Sequence, residues 1–295
     1  MAATPESTPG AGLPEIPDVL HGFARRRFSP AGASGDATGA AEPTDDATTR
    51  DVYTLGSGPA VVIMAEMPGI TPRVVEFARR VADAGMTAWV PHLFGRVGEP
   101  PGGAAYARAL IPACVARDFA AFAAGSTAPV VGWLRALAAE AHAVCGGPGV
   151  GAVGMCFTGG FALGMAVDDR MLAPVLSQPS LPIVLPWRRG NAADVQLSPE
   201  DRQRVAERAG AGLCVLGLRF SEDRLAPPER FAALAEMLGD AFVAVEIDSS
   251  PDNANGLGAR AHSVLTEELV DRPGHPTHDA LEQVLGFLAE RLGVS

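Results

Sequence analysis

Cys156 is the residue whose type and surroundings most clearly indicate chemistry. It lies in segment 151–160 (GAVGMCFTGG), which predicts a strand, a tight turn and then a helix. A thiol on such a turn projects above the sheet, and free N–H groups at a helix N-terminus stabilise a thiolate. The alternative interpretation is an ordinary buried cysteine, which we adopt for Cys114, Cys145 and Cys214 because they lie inside predicted helices or strands. Cys156 is therefore the candidate nucleophile.

A thiol nucleophile needs a base, and the base needs an acid that orients it. His262 lies in the loop between the last predicted strand and the last predicted helix, and Asp223 lies in the loop after the strand predicted at 213–218. Taken singly, a loop histidine is often solvated and a loop aspartate often caps the next helix. Because Cys156, Asp223 and His262 each follow a predicted strand, together they indicate a nucleophile, an acid and a base.

The other five of the six histidines are weaker candidates for the base. His21 lies at the end of the N-terminal tail, and His142 lies on a predicted helix. His275 and His278 flank the start of the last helix, where we expect them to be exposed or to cap the helix. His92 follows a strand end but precedes the proposed nucleophile in the chain.

Composition excludes several classes of mechanism. All 23 cationic side chains are arginine, so Schiff-base chemistry, a phosphate-binding P-loop and a kinase strand lysine are absent. The net charge of −11 argues against nucleic acid or an anionic membrane as a partner. The four cysteines show no paired spacing, so we expect no metal site and no disulfide framework, and the chemistry requires no cofactor. Segment 149–154 (GVGAVG) matches the dinucleotide fingerprint, but its glycines lie before or within the strand, where that motif does not function.

Strands and helices alternate along the chain. The predicted strands are 23–28, 61–65, 87–90, 150–155, 172–176, 213–218 and 242–247. The predicted helices are 73–84, two within 106–145 divided at 125–129, and then 159–167, 199–209, 227–238 and 277–292. This order predicts an α/β fold whose mostly parallel central sheet is flanked by helices on both faces. In such a sheet, reactive side chains lie beyond the carboxyl ends of the strands.

The sequence favours one folded domain. Residues 1–20 are predicted to be a flexible tail, and 21–295 a single domain that contains a low-complexity loop at 29–49. There is no basic segment followed by an apolar one at the start, and the Ala- and Gly-rich middle is broken by charges and prolines. We therefore expect no membrane association, a cytoplasmic location, and a monomer or homodimer.

From Arg50 to the C-terminus the chain resembles the dienelactone hydrolase family. The resemblance is most specific in segments 63–70 (IMAEMPGI), 153–160 (VGMCFTGG) and 261–263 (AHS). It implies an α/β-hydrolase fold, whose members use the chain order nucleophile, acid, base. It also implies a cysteine-dependent carboxylic ester hydrolase that opens an activated ester or lactone, a small-molecule substrate, through the same three residues.

The resemblance also implies further site residues. Glu66 would be the extra carboxylate that interacts with the resting thiol, and the backbone N–H groups of Met67 and Phe157 would form the oxyanion hole. Arg96 resembles one of two arginines that bind the substrate carboxylate. Thr266 occupies the position where the second arginine is expected.

Thr158 is a second departure from the family pattern, because it stands where the cysteine turn usually has glycine. Threonine is small but β-branched, so we expect the turn to be retained with some shift. Two alternatives stay open at this point. One is a thioesterase or an acyltransferase or cyclase on the same fold, and the other is a non-catalytic binding protein.

Overall fold

The computed structural model of the protein describes residues 17–30, 49–184 and 189–294. The strands in this part of the chain are β1 Ala24–Phe28, β2 Arg50–Gly56, β3 Ala60–Met64, β4 Thr87–Pro91, β5 Val150–Met155, β6 Met171–Ser177, β7 Val215–Phe220 and β8 Phe242–Ile247. The α-helices are α1 Pro72–Asp83, α2 Gly103–Val115, α3 Val130–Cys145, α4 Gly159–Met165, α5 Pro199–Gly210, α6 Pro228–Leu238 and α7 Pro276–Leu292.

All of these strands belong to one sheet with the order β1-β2-β4-β3-β5-β6-β7-β8. β2 pairs antiparallel with β1 and with β4, and every pairing from β4 to β8 is parallel. The predicted α/β fold with a mostly parallel sheet is therefore confirmed. The parallel order places the carboxyl ends of β3, β5, β6 and β7 along one edge of the sheet. The candidate residues lie in loops at this edge.

The central strands are buried on both faces. All five residues of β3 are buried. Val62 packs in one apolar cluster with Leu134 of α3, whereas Val61 packs in the other cluster with Phe77 of α1 and Leu281 of α7. Successive side chains of a strand point to opposite faces, so this division shows that helices cover both sides of the sheet.

Strand β2 is an element that the sequence analysis did not predict. Its burial is uneven, with only Val52 and Tyr53 fully buried among its residues. Arg50 and Asp51 at its start are half-buried and form ion pairs with side chains elsewhere, Arg50 with Asp118. A short strand with charged residues lacks the continuous apolar run that marked β3 and β5.

Several boundaries differ from the prediction. The first helix of the 106–145 region ends at Val115, and a 3-10 helix at Arg117–Phe119 follows it. Another 3-10 helix, Asp18–Leu20, lies in the segment predicted as tail, and Leu20 is fully buried. Residues 1–16 of the predicted tail and most of the 29–49 loop lie outside the described residues. No helix in the described residues combines the length and the apolar character that crossing a membrane requires.

Candidate active site

Cys156 occupies a strained turn directly after β5. Its φ of +52° lies in the left-handed region, which costs a residue with a side chain about 1–2 kcal/mol. Two glycines make the turn possible. A Cβ on Gly154 would lie 2.3 Å from the carbonyl oxygen of Thr158, and one on Gly159 would lie 2.5 Å from Cα of Pro179. The predicted strand, turn and helix are present.

Thr158 fixes this turn by its hydroxyl group. Its Oγ1 accepts a hydrogen bond of 3.0 Å from the Met155 amide and lies 2.8 Å from the Met64 carbonyl oxygen, to which it donates. Its side chain is fully buried. The Cβ that departs from the family pattern is therefore tolerated, because the hydroxyl joins the turn to the end of β3.

His262 and Asp223 form a close pair on two different loops. Asp223 follows β7, and His262 lies between β8 and α7. His262 Nδ1 is 2.7 Å from Asp223 Oδ2, and the other carboxylate oxygen accepts from the Leu225 amide. Asp223 is 4% exposed, so this charge-assisted bond is shielded from water. The carboxylate holds the imidazole with its Nε2 available for proton transfer.

Nε2 of His262 is buried and has no hydrogen-bond partner among the described residues. Burial alone would lower the pKa of His262, but the nearby Cys156 sulfur and the Asp223 carboxylate outweigh it and raise the pKa to about 11. The imidazolium form is therefore favoured beside the sulfur.

Glu66 follows β3 and is 3% exposed. Ser263 donates to its Oε2 over 2.6 Å, Thr266 donates to Oε1, and Gln178 Nε2 lies 3.4 Å from Oε2. Burial raises the pKa of Glu66, and the hydrogen bonds from Ser263 and Thr266 oppose that effect. The hydrogen bonds of Glu66 in the described residues go to Ser263, Thr266 and Gln178, and none of them goes to Cys156.

A cavity of about 530 Å3, here called the main cavity, holds the reactive groups Cys156 and His262. Its apolar lining comes from Met67, Tyr106, Leu110, Phe157, Leu181, Ile183, Val184 and Leu225. The amide N–H groups of Met67 and Phe157 have no acceptor among the described residues. They are thus free to bind an oxygen atom of a ligand in this cavity.

Arg96 and Thr266 do not form a carboxylate site here. Arg96 is exposed and is not among the residues that line the main cavity. Thr266 is 1% exposed, and its hydroxyl is used by Glu66. The structure therefore does not bring Arg96 to Cys156. Thr266, four residues after His262, holds the buried carboxylate of Glu66.

Ser180 is a residue near the nucleophile that the sequence analysis missed. Its Oγ lies 3.6 Å from Cys156 Sγ, and its amide donates to the Cys156 carbonyl over 2.9 Å. It follows the carboxyl end of β6, so the rule that placed Asp223 could also have placed Ser180. The remaining histidines lie elsewhere. His275 caps α7 by accepting from the Thr277 amide, as predicted, and His92 Nε2 bonds the Gly95 carbonyl.

Comparisons with known proteins identify the family of the chain and similar folds. The sequence profile of the dienelactone hydrolase family matches residues 47–291. A dienelactone hydrolase from Anabaena variabilis superposes with a TM-score of 0.55 at 15% identity, covering 92% of this chain and 100% of that chain. A cold-adapted esterase from an Arctic intertidal metagenomic library gives 0.53 at 17% identity, covering 92% and 95%. At these identities the superpositions establish the fold, and no curated protein sequence matches the chain.

Proposed function

The chain belongs to the dienelactone hydrolase family, and from this premise we propose that it hydrolyses an activated carboxylic ester or lactone through Cys156, His262 and Asp223. One observation carries the proposal. The sulfur of Cys156, on a left-handed turn, and the imidazole of His262, bonded to Asp223 over 2.7 Å, line the same cavity. A nucleophile, a base and an acid that orients the base are the groups that acyl transfer to a thiol uses.

Acylation begins with the thiolate of Cys156. The sulfur attacks the substrate carbonyl carbon, so an S–C bond forms and the carbonyl oxygen becomes an oxyanion. When the tetrahedral adduct collapses, the C–O bond to the leaving group breaks. The imidazolium of His262 gives its Nε2 proton to the departing oxygen, which leaves a thioester and a neutral imidazole.

The oxyanion needs hydrogen-bond donors, and the amides of Met67 and Phe157 are the proposed pair. Phe157 follows the nucleophile directly, and Met67 lies on the loop after β3, so the donors approach from two loops. Each such donor contributes about 2.7–4 kcal/mol to transition-state stabilisation in comparable sites. Backbone donors are fixed by the fold and require no reorganisation during the reaction.

Deacylation uses the same groups in reverse. Neutral His262 takes a proton from water while the water oxygen attacks the thioester carbon. Collapse of this second adduct breaks the S–C bond, which restores the thiolate and the imidazolium and releases the acid. A thiolate leaves more readily than an alkoxide, so the first step succeeds best with leaving groups that are themselves stabilised, such as phenolates and enolates. We expect amides to be poor substrates.

The test is hydrolysis of aryl esters, lactones and an acyl thioester by the full chain and by variants. Cys156→Ala should abolish turnover of every substrate, and His262→Ala should do the same. Cys214→Ala is the matched control, because Cys214 is a free, half-buried cysteine that does not line the main cavity. Full aryl ester hydrolysis by Cys156→Ala would refute the proposal, and turnover of the thioester alone would favour a thioesterase.

A further inference from the structure

Ser180 lies on the loop after β6, beside the nucleophile. Its amide donates to the Cys156 carbonyl over 2.9 Å, so the two backbones are joined. The carbonyl groups of Pro179 and Pro182, on either side of Ser180, accept hydrogen bonds of 2.7 and 3.0 Å from the buried Arg230. A proline ring also fixes the backbone φ of its own residue. The position of Ser180 relative to Cys156 is therefore set by the fold.

The hydroxyl of Ser180 has two acceptors within reach. Its Oγ lies 3.6 Å from Cys156 Sγ and 3.1 Å from the carbonyl oxygen of Gln178. Sulfur is larger than oxygen, so both distances allow a hydrogen bond. A serine hydroxyl carries one hydrogen, so a strong bond to one acceptor is made at the expense of the other. Ser180 lines the main cavity, so the hydroxyl changes its partner where the substrate binds.

The carbonyl group of Gln178 is a fixed acceptor. Gln178 is fully buried and has a φ of +36°, in the left-handed region that a residue with a side chain rarely adopts. Its amide donates to the Leu218 carbonyl of β7 over 2.7 Å. Ser177 donates to its side-chain oxygen, and its Nε2 lies 3.4 Å from Glu66 Oε2. Backbone strain of this kind persists only where the surroundings hold the residue, and it concentrates at active sites.

The charge on the sulfur decides which acceptor the hydroxyl uses. The sulfur of a thiol or a thioester is a weak acceptor, so the hydroxyl then bonds to the Gln178 carbonyl. A thiolate carries a full negative charge, and a hydrogen bond to an ionised acceptor is roughly twice as strong as a neutral one. The hydroxyl then turns to Cys156 Sγ. Such a donor stabilises the thiolate that attacks the substrate and the thiolate that leaves when the second adduct collapses.

We infer that Ser180 is a further catalytic residue, whose hydroxyl donates to Cys156 Sγ when the sulfur is an anion and to the Gln178 carbonyl when the sulfur carries a proton or an acyl group. The inference rests on the proposed function for the acylated state, whereas the protonated and anionic states exist without a substrate. Ser180 keeps its hydrogen in every step, so no covalent bond to it forms or breaks. Its contribution is a hydrogen bond that changes partner.

Other charged and titratable groups share the main cavity with the sulfur, and Asp223 holds His262 from behind. These groups come from the loop after β3, from α2, from the loop after β7 and from the segment between β8 and α7. They are Glu66, Tyr106, Arg224, Arg260, His262, Glu267 and Glu268. Replacing Ser180 by alanine leaves all of them in place, so a comparison of the two proteins isolates the effect of the hydroxyl.

Ser180→Ala removes the hydroxyl and keeps the amide that bonds to Cys156. We expect the pH midpoint at which Cys156 becomes a thiolate to rise, because the hydrogen bond favours the charged form. Below the midpoint the thiolate fraction should fall by about two- to tenfold. The ultraviolet absorbance of the thiolate gives this midpoint, as the difference between each protein and the same protein with Cys156→Ala. The rate of alkylation by iodoacetamide against pH gives the midpoint independently.

Two results separate a hydrogen bond from a structural effect. At pH values above the midpoint, Ser180→Ala should be alkylated at least as fast as wild type, since a thiolate with a higher midpoint is the stronger nucleophile. In aryl ester hydrolysis, the acid limb of kcat/KM should move to higher pH by the same amount, because kcat/KM reports ionisations of the free enzyme. An alkylation rate that is lower by one factor at every pH would overturn the inference, since it would show a loss of access or positioning alone.

Ser250→Ala is the matched control, because Ser250 is a half-buried serine after β8 that does not line the main cavity. Its thiolate midpoint should equal that of wild type, and the thermal midpoint of each variant shows that folded proteins are compared. Equal thiolate midpoints for Ser180→Ala and wild type, with hydrolysis that depends on Cys156, would overturn the inference and leave the proposed function intact. A raised midpoint in a protein that hydrolyses no ester would support the hydrogen bond to the thiolate while the proposed function fails.

Discussion

The hydroxyl of Thr158 donates to the carbonyl oxygen of Met64 across 2.8 Å, and this bond joins the nucleophile turn to the end of the neighbouring strand β3. The residues that follow Met64 are Ala65, Glu66 and Met67, so the same bond relates the turn to one of the proposed oxyanion donors. Cys156 and Met67 lie on different loops, and Thr158 is the polar link between the strands from which those loops emerge.

Thr158→Val removes this link and keeps the shape of the side chain. The Met155 amide and the Met64 carbonyl would each lose their bond to the hydroxyl in a fully buried position. We expect the free energy of unfolding to fall by about 1–3 kcal/mol, measured by urea denaturation. We also expect kcat to fall, because the turn and the oxyanion donors would lose their common support. Thr158→Ser keeps the hydroxyl and is the control. Equal stability of Thr158→Val and wild type would contradict the role assigned to this bond.

Asp223→Asn tests the orientation of His262 without removing volume. An amide NH2 group can face Nδ1, which leaves the proton on Nε2 and prevents the imidazole from acting as a base. We expect kcat to fall by about 10⁴-fold, as in other triads, with little change in the thermal midpoint. Asp252→Asn, at an exposed position, should leave kcat unchanged. The measurement is steady-state hydrolysis of an aryl ester, and a loss of less than tenfold in the Asp223 variant would argue against its orienting role.

Glu66→Gln tests a buried carboxylate whose pKa is raised by burial, in spite of the hydrogen bonds from Ser263 and Thr266. A raised native pKa means that the folded protein holds the proton more tightly than the unfolded chain does. Stability should then fall as pH rises from about 4.5, the unperturbed value, toward the native pKa. The Gln variant has no such proton, so its unfolding free energy should depend less on pH over that window.

Urea titrations of the Glu66 variant and of wild type at a series of pH values measure this difference. Glu282→Gln is the control, because Glu282 is exposed on α7. If the free energy of unfolding changed with pH in the same way for wild type and Glu66→Gln, the buried carboxyl would contribute nothing to the pH dependence of stability.

Local patterns in the sequence were sufficient to predict much of the fold. Strand β5 and the turn at Cys156 were predicted because a continuous apolar run and paired glycines lie within ten residues of one another. Strand β2 was missed because its burial comes from its pairing with β1 and β4, which its own partly charged sequence does not reveal. Hydrophobic periodicity predicts a strand or a helix only when the two faces of the element differ in polarity.

The site was predictable only in part. The pairing of Asp223 with His262 was expected from their positions after strands, and the structure brings them to 2.7 Å. The surroundings of Glu66 were not expected, because Ser263 and Thr266 reach it from the other end of the chain. Arg96 was assigned by resemblance, and its place depends on the path of the loop after β4, which places it outside the main cavity. Such contacts follow from loop geometry, which a single sequence does not specify.

Arg230, at the start of α6, is 1% exposed and donates to four backbone carbonyl groups, two of which belong to the segment that forms one wall of the main cavity. The acceptors are the carbonyl groups of Pro179, Pro182, Asn191 and Asp194, at 2.7–3.1 Å. Burial lowers the pKa of Arg230 to about 10, which shows how far this cation is removed from water. The side chain therefore holds the wall that includes Ser180 and Leu181.

Arg230→Met keeps an unbranched chain but leaves these carbonyl groups without their donor. Hydrogen bonds to charged groups contribute about 1.5–3 kcal/mol each, so we expect a loss of at least that size in the free energy of unfolding. We also expect KM for aryl esters to rise more than kcat falls, because the wall contacts the substrate and not the reacting atoms. Arg230→Lys should be intermediate, since one ammonium group reaches fewer acceptors than a guanidinium group does. Arg202→Met, on the exposed face of α5, should change stability by about 0.5 kcal/mol or less. An unchanged KM in a folded Arg230→Met variant would show that the wall keeps its shape without this side chain.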